Sequence, residues 1–162
     1  MPIKSMDDLF LHTLKDIYYA ERQILKALPK MAKAAHSQEL REAFEQHRTE
    51  TEGQIERLAQ VFEMLGKPAR GVKCEAIEGI IDEGQSIMEE VEDAEVRDAA
   101  MLASAQAVEH YEITRYGTLI AWARQLGHEE AAALFEQTLE EEKSTDQLLT
   151  ELAEETLNQE AA

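Results

Sequence analysis

The chain is poor in the residues that build sheets, long loops and crosslinks: one cysteine, three prolines, seven glycines and 6% aromatics in 162 residues. A lone thiol, Cys74, excludes an intramolecular disulfide and suits a cytoplasmic protein. Nothing around it resembles a nucleophile's triad. The scarcity of Gly and Pro argues against an all-β fold. No run of about 20 apolar residues exists to span a bilayer, and Met1 to Phe10 lack the apolar stretch of a signal peptide. Positive charge is scarce as well, with 16 Lys and Arg against 34 Asp and Glu and a net charge of −18. Phosphate backbones and anionic lipid both need clustered cations, so nucleic acid and membrane surfaces are excluded as partners.

What is abundant is Ala, Glu, Leu and Gln, all good helix formers. Apolar residues recur in steps of three and four, the spacing of a bundle-facing seam. In the first helix, expected over about 5–35, the seam is Phe10, Leu14, Ile17, Ile24, Leu28, Met31 and Ala35. Pro29 falls inside it and is expected to kink the helix or split off its last turn. Ser37 caps a second helix, about 37–65, with Leu40, Phe44, His47, Thr51, Gln54, Leu58, Val61 and Leu65 inward. Gly66 and Pro68 end it. A shorter helix is expected over about 74–91, its apolar residues having no obvious place inside a bundle of four. The third long helix, about 93–126, carries Leu102, Ala105, Glu109, Glu112, Tyr116, Leu119, Ala123 and Leu126. The fourth, about 128–157, carries Phe135, Thr138, Glu142, Thr145, Leu149 and Leu152, with a frayed polar end after Asn158. Two hairpins joined by a long connection describe an all-α bundle with one crossover, in a single domain spanning 1–162. Phe44-Glu45-Gln46 recurs as Phe135-Glu136-Gln137, which supports the division.

The seams are broken by acids. Glu21 stands between Ile17 and Ile24; Glu109 and Glu112 take consecutive inward positions; Glu142 does the same, with Asp146 one turn on; His47 is followed by Glu50. Glu21 lies 15 residues before His36 and Glu50 lies 14 after it; Glu112 and Glu142 each lie 15 residues from Gly127. At about 1.5 Å per residue each is about 22 Å from its hairpin turn, so all meet at one level. One such Glu alone is ordinarily a solvated side chain at a groove edge. Five or six at one depth are costly unless they are protonated or neutralised by a multivalent cation. Whether Glu141 rather than Glu142 faces inward, and whether Gln54 or His47 completes the second helix, stays open. Tyr18 and Tyr116, one turn from Glu21 and Glu112, are read as core residues before hydrogen-bonding partners of the acids. His110 and Tyr111 point off the seam, and His12, His36 and His128 carry no signal.

Four segments together resemble the YciE/YciF-type bacterial stress proteins of the ferritin-like, rubrerythrin-related superfamily: Leu14 to Glu21, His47 to Gln54, Val108 to Ile113 and Leu139 to Asp146. The resemblance covers nearly the whole chain. It implies a ferritin-like four-helix bundle whose short fifth helix, in the crossover between helices 2 and 3, lies at a homodimer interface. It also implies kinship to di-iron proteins. The superfamily pattern has Glu-x-x-His on two helices and Glu on the others. Glu21, Glu50 and Glu142 match its acids, and Glu109 with Glu112 resembles the paired glutamates of the third helix. Gly53 and Thr145 stand where ligand histidines belong. The expected metal ligands are therefore Glu21, His47, Glu50, Glu109, Glu112, Glu142 and Asp146. Such an oxygen-rich set favours two Fe ions, or alternatively Mn. The implied functions are a redox enzyme acting on peroxide or dioxygen, a metal-binding stress protein without turnover, or a purely structural homodimer.

Overall fold

The computed structural model describes residues 2–162. Four long helices form the bundle: α1 Met6–Ala34, α2 Gln38–Met64, α4 Ala94–Gln125 and α5 Glu129–Leu152, with α3, Glu75–Glu90, in the crossover. Among the described residues there is no strand, and no helix is long and apolar enough to cross a membrane.

Side-chain caps start most of these helices. Ser5, Ser37 and Asp93 accept from backbone N–H groups of the first turns of α1, α2 and α4, and Cys74 Sγ accepts from Ile77 N at 3.4 Å. Two glycines end them. Gly66 (φ 64°) and Gly127 (φ 79°) take the left-handed conformation that releases the chain from α2 and α4. The following residues bond back into each helix, Lys67 N to Phe62 O at 2.9 Å and His128 N to Ala123 O at 2.8 Å.

Pro29 neither splits nor ends α1, which runs unbroken to Ala34. Pro29 is on the exposed face, where water can satisfy the carbonyl that its missing N–H leaves free. The chain end also departs from expectation. After α5 a π turn, Ala153–Leu157, leads into a last short helix, α6, Asn158–Ala161. The extra residue of the π turn keeps both Ala153 and Leu157 buried.

α1 packs on α2 and α4, and α5 packs on α4 and α2. Direction follows from contacts at the ends. Phe10, early in α1, stacks on His128 and meets Phe135 edge-on at the start of α5. Asp98, early in α4, reaches the opposite end, where its carboxylate accepts from His36 N (2.9 Å) and Ser37 N (2.6 Å) in the α1–α2 turn. The crossover therefore travels the length of the bundle, and α3 lies over the α1–α4 groove. Two glycines let it lie close. A Cβ on Gly71 would sit 2.8 Å from Tyr19 Cβ, and one on Gly84 would sit 3.1 Å from Ser104 Cβ. The crossover is tied down by Tyr111, whose hydroxyl donates to Asp16 Oδ2 (2.8 Å) and lies 3.0 Å from Cys74 Sγ.

Candidate metal centre

Each long helix turns at least one ionisable side chain into the middle of the core, and α4 turns two. Glu21 on α1, Glu112 on α4 and Glu142 on α5 are 0% exposed, Glu109 on α4 is 1%, and His47 on α2 is 5%. The three- and four-residue spacing that buries Ile17 and Ile24 around Glu21, and Ala105 and Tyr116 around Glu109 and Glu112, forces these acids inward. His47, Glu109, Glu112 and Glu142 each offer one ligating atom, and these atoms all lie within 4.8 Å of one another. Glu21 adjoins Glu112 and receives the Tyr116 hydroxyl on Oε1 at 2.5 Å.

Electrostatics make this group costly without a cation. Burial first, then the neighbouring carboxylates, push Glu112 and Glu142 well above the usual glutamate range. Burial likewise pushes Glu21 up to about 7 against the opposing Tyr116 hydrogen bond. At His47, burial disfavours the imidazolium, but Glu109 beside it, with Glu50 and Glu142, outweighs that and raises the ring well above its ordinary value. His47 Nε2 is 2.9 Å from Glu109 Oε1, an ion-pair distance without the alignment of a hydrogen bond. Both oxygens of Glu112, both of Glu142, Glu109 Oε2, Glu21 Oε2 and both His47 nitrogens have no hydrogen-bond partner. Buried polar atoms in native cores are nearly always paired, so so many orphans at one point fit cation ligation, by four carboxylates and one imidazole.

The other expected ligands lie further out. Glu50 is 23% exposed, with Oε2 3.9 Å from His47 Nδ1 and accepting from Thr145 Oγ1 at 3.1 Å. Burial would raise Glu50, but His47, Gln46 and Thr145 more than reverse this and hold it below the usual value. Thr145, in the place of a pattern histidine, thus serves Glu50. Asp146 is not brought into the group: it pairs with the exposed His110 at 3.0 Å and accepts from Gln106 Nε2 at 3.3 Å. Of the two neighbours left open, Glu142 faces inward, while Glu141 pairs with Arg57 and accepts from Gln54 Nε2. Gln54 is buried but keeps its Oε1 unpartnered. Tyr116 proves to be a hydrogen-bonding partner of the acids, whereas Tyr18 is core, meeting Phe62 edge-on at 5.4 Å. Sequence reasoning passed over Asp98. It falls in the first turns of α4, where acids are common for dipole reasons, and nothing local marks it as buried.

A family model described as a domain of unknown function, DUF892, matches residues 5–162. Protein YciF of Escherichia coli K12 is 49% identical over 99% of this chain and 98% of that protein. The crystal structure of the E. coli stress protein YciF superposes with a TM-score of 0.92 over 96% of this chain and 99% of that one. YcfI of Rhodopseudomonas palustris is 52% identical with a TM-score of 0.90, over 91% and 94% of the two chains. With its fold, its inward carboxylates and these likenesses in agreement, the chain belongs to the DUF892 family of YciF-like stress proteins, and its bundle is of the ferritin-like kind.

Proposed function

We propose that the protein is a ferritin-like stress protein that binds two iron ions, alternatively manganese, in the middle of its bundle. The observation that carries this reading is the set of orphaned buried ligand atoms on His47, Glu109, Glu112 and Glu142. Glu21 adjoins them as a further ligand, and Glu50 stands at the rim behind His47. When bound, such a metal pair would supply redox chemistry toward peroxide or dioxygen, which makes the protein an oxidoreductase in this reading. The chain's own groups would do the rest. Four glutamates and one imidazole hold charge, Tyr116 orients Glu21 through its hydroxyl, and the surrounding Leu, Ile and Phe side chains keep water from the centre.

Hard carboxylate oxygens with a single imidazole suit Fe(II) and Mn(II) over Cu or Zn. The half-exposed outer face of α3, with the family resemblance, supports a homodimer, tested by light scattering. The metal reading is tested by thermal unfolding with added Mn(II) or, anaerobically, Fe(II). The wild type should be stabilised by about 3 kcal/mol at a hundredfold excess over the dissociation constant, and the Glu109→Ala/Glu142→Ala double variant not at all. A purely structural set of acids predicts no metal response in either protein.

A further inference from the structure

Between α1, α4 and the overlying α3 lies a cavity of about 490 Å³, within the range of small-molecule sites. Its lining mixes aliphatic and thioether side chains, Leu28, Ile81, Met88 and Met101 among them, with polar ones such as Gln23 and Ser104, and no Phe, Tyr or Trp lines it. The two ends differ. Lys26, Lys30, Asp82 and Glu89 are exposed at the outer end. His47 and Glu109, 5% and 1% exposed, form the inner one. There both imidazole nitrogens and Glu109 Oε2 lack hydrogen-bond partners. The roof is held by the close approach of Gly84 to Ser104, which brings α3 down onto α4. A largely aliphatic cavity that reaches a buried imidazole, of whose two unpartnered nitrogens a metal ordinarily takes one, has the form of a ligand site.

We infer that this cavity binds an uncharged aliphatic molecule bearing one hydroxyl, with the hydroxyl at His47 and Glu109, so that the metal centre takes an organic ligand. This rests on the metal reading in one respect. A centre neutralised by cations offers an ammonium head no attraction, whereas a metal-free cluster of acids attracts one. Two divalent ions balance the four glutamates with no positive charge to spare, and the lining lysines, Lys26 and Lys30, are exposed, so an anionic head gains no net attraction at His47 and Glu109. The aliphatic lining sets the chain, and the cavity's length along α3 favours a longer one.

The test is calorimetric titration of the full chain, metal-free and Mn(II)-loaded, with n-octanol, n-butanol, n-octanoate and n-octylamine, with manganese counted separately. The loaded protein should bind n-octanol saturably. Loss of four buried methylenes should weaken n-butanol on the order of a hundredfold, and n-octanoate should not bind. Ala27→Phe, which fills the cavity away from the acids, should weaken n-octanol at least about tenfold with manganese content unchanged. Ala27→Met should do so in part, and serves if the larger side chain is not tolerated. A loaded protein that ignores n-octanol, or prefers n-octylamine, overturns the inference while leaving the metal reading intact. So does an Ala27→Phe variant that loses its dimer but not n-octanol, since the groove is then a contact between copies. Failure to take up Mn(II) overturns the metal reading alone, and n-octanol binding by the metal-free chain then still decides for or against the cavity.

Discussion

The Tyr116 hydroxyl lies 2.5 Å from Glu21 Oε1, joining α4 to α1 beside the carboxylate group. Both residues are fully buried. The hydroxyl has no water to turn to, and Glu21 accepts no other hydrogen bond on that oxygen. Tyr116→Phe leaves Glu21 without its donor and should destabilise the metal-free protein by about 1–3 kcal/mol. Urea unfolding of both proteins measures it. An unchanged midpoint means that this hydrogen bond contributes nothing.

Asp98 holds the far end of the bundle. Its two oxygens take the His36 and Ser37 N–H groups of the α1–α2 turn, and the residue is 1% exposed. Asp98→Ala removes two charge-assisted bonds and orphans two backbone donors, a cost of about 3–5 kcal/mol. Because the contact is remote from the acids, metal content per folded chain should not change. Denaturation and elemental analysis of the same sample check both halves.

The metal-free protein should lose stability as pH rises. Glu21, Glu112 and Glu142 are held above the unfolded glutamate value of 4.5, Glu21 at about 7. Between those values the folded chain binds more protons than the unfolded one, so stability is full below about pH 4.5 and falls through pH 7. Glu21 alone corresponds to a loss on the order of 3 kcal/mol. His47, raised above 6.5 by Glu109, acts in the same direction. Metal binding needs these groups deprotonated, so uptake should release protons and strengthen with pH. Thermal melts between pH 5 and 8, with and without Mn(II), should diverge; parallel curves contradict the account.

Glu112, like Glu142, has both oxygens unpartnered, and it is pushed up by burial and three neighbouring glutamates. Glu112→Leu should therefore stabilise the metal-free chain by about 1–3 kcal/mol while removing its response to Mn(II). Stability gained with metal response lost is the signature of a site kept at a cost to the fold. A destabilised variant would show that Glu112 supports the bundle itself.

Much of this was legible in the chain because the bundle repeats a simple period. Leu14, Phe44, Leu58, Leu119 and Phe135 fall on expected seams and are at most 2% exposed. Glu21, Glu109, Glu112 and Glu142 stand out as breaks in those seams and are buried, whereas Glu50, counted to the same depth as Glu21, Glu112 and Glu142, is 23% exposed. Depth along a helix follows from the rise alone, but direction around the axis drifts by tens of degrees over a few turns. Even one step of four residues turns about 40° past a full circle, and Asp146, four residues beyond Glu142, lies beside His110. Pairing across elements was less visible. Asp98 with the α1–α2 turn, Tyr111 with Asp16 and Arg57 with Glu141 join residues far apart in the chain, and no local pattern announces them. The π turn at Ala153–Leu157 was hidden for a similar reason: it shifts the seam by one residue without a Gly or Pro to mark it.

The central claim is that the buried acids exist for metal, and elemental analysis of the protein purified without a metal-affinity tag tests it most directly. The account predicts about two Fe or Mn per chain, as in ferritin-like carboxylate sites. A metal-free protein that takes up neither Fe(II) anaerobically nor Mn(II) would contradict it, and would leave His47, Glu109, Glu112 and Glu142 as a structural cluster held by shared protons.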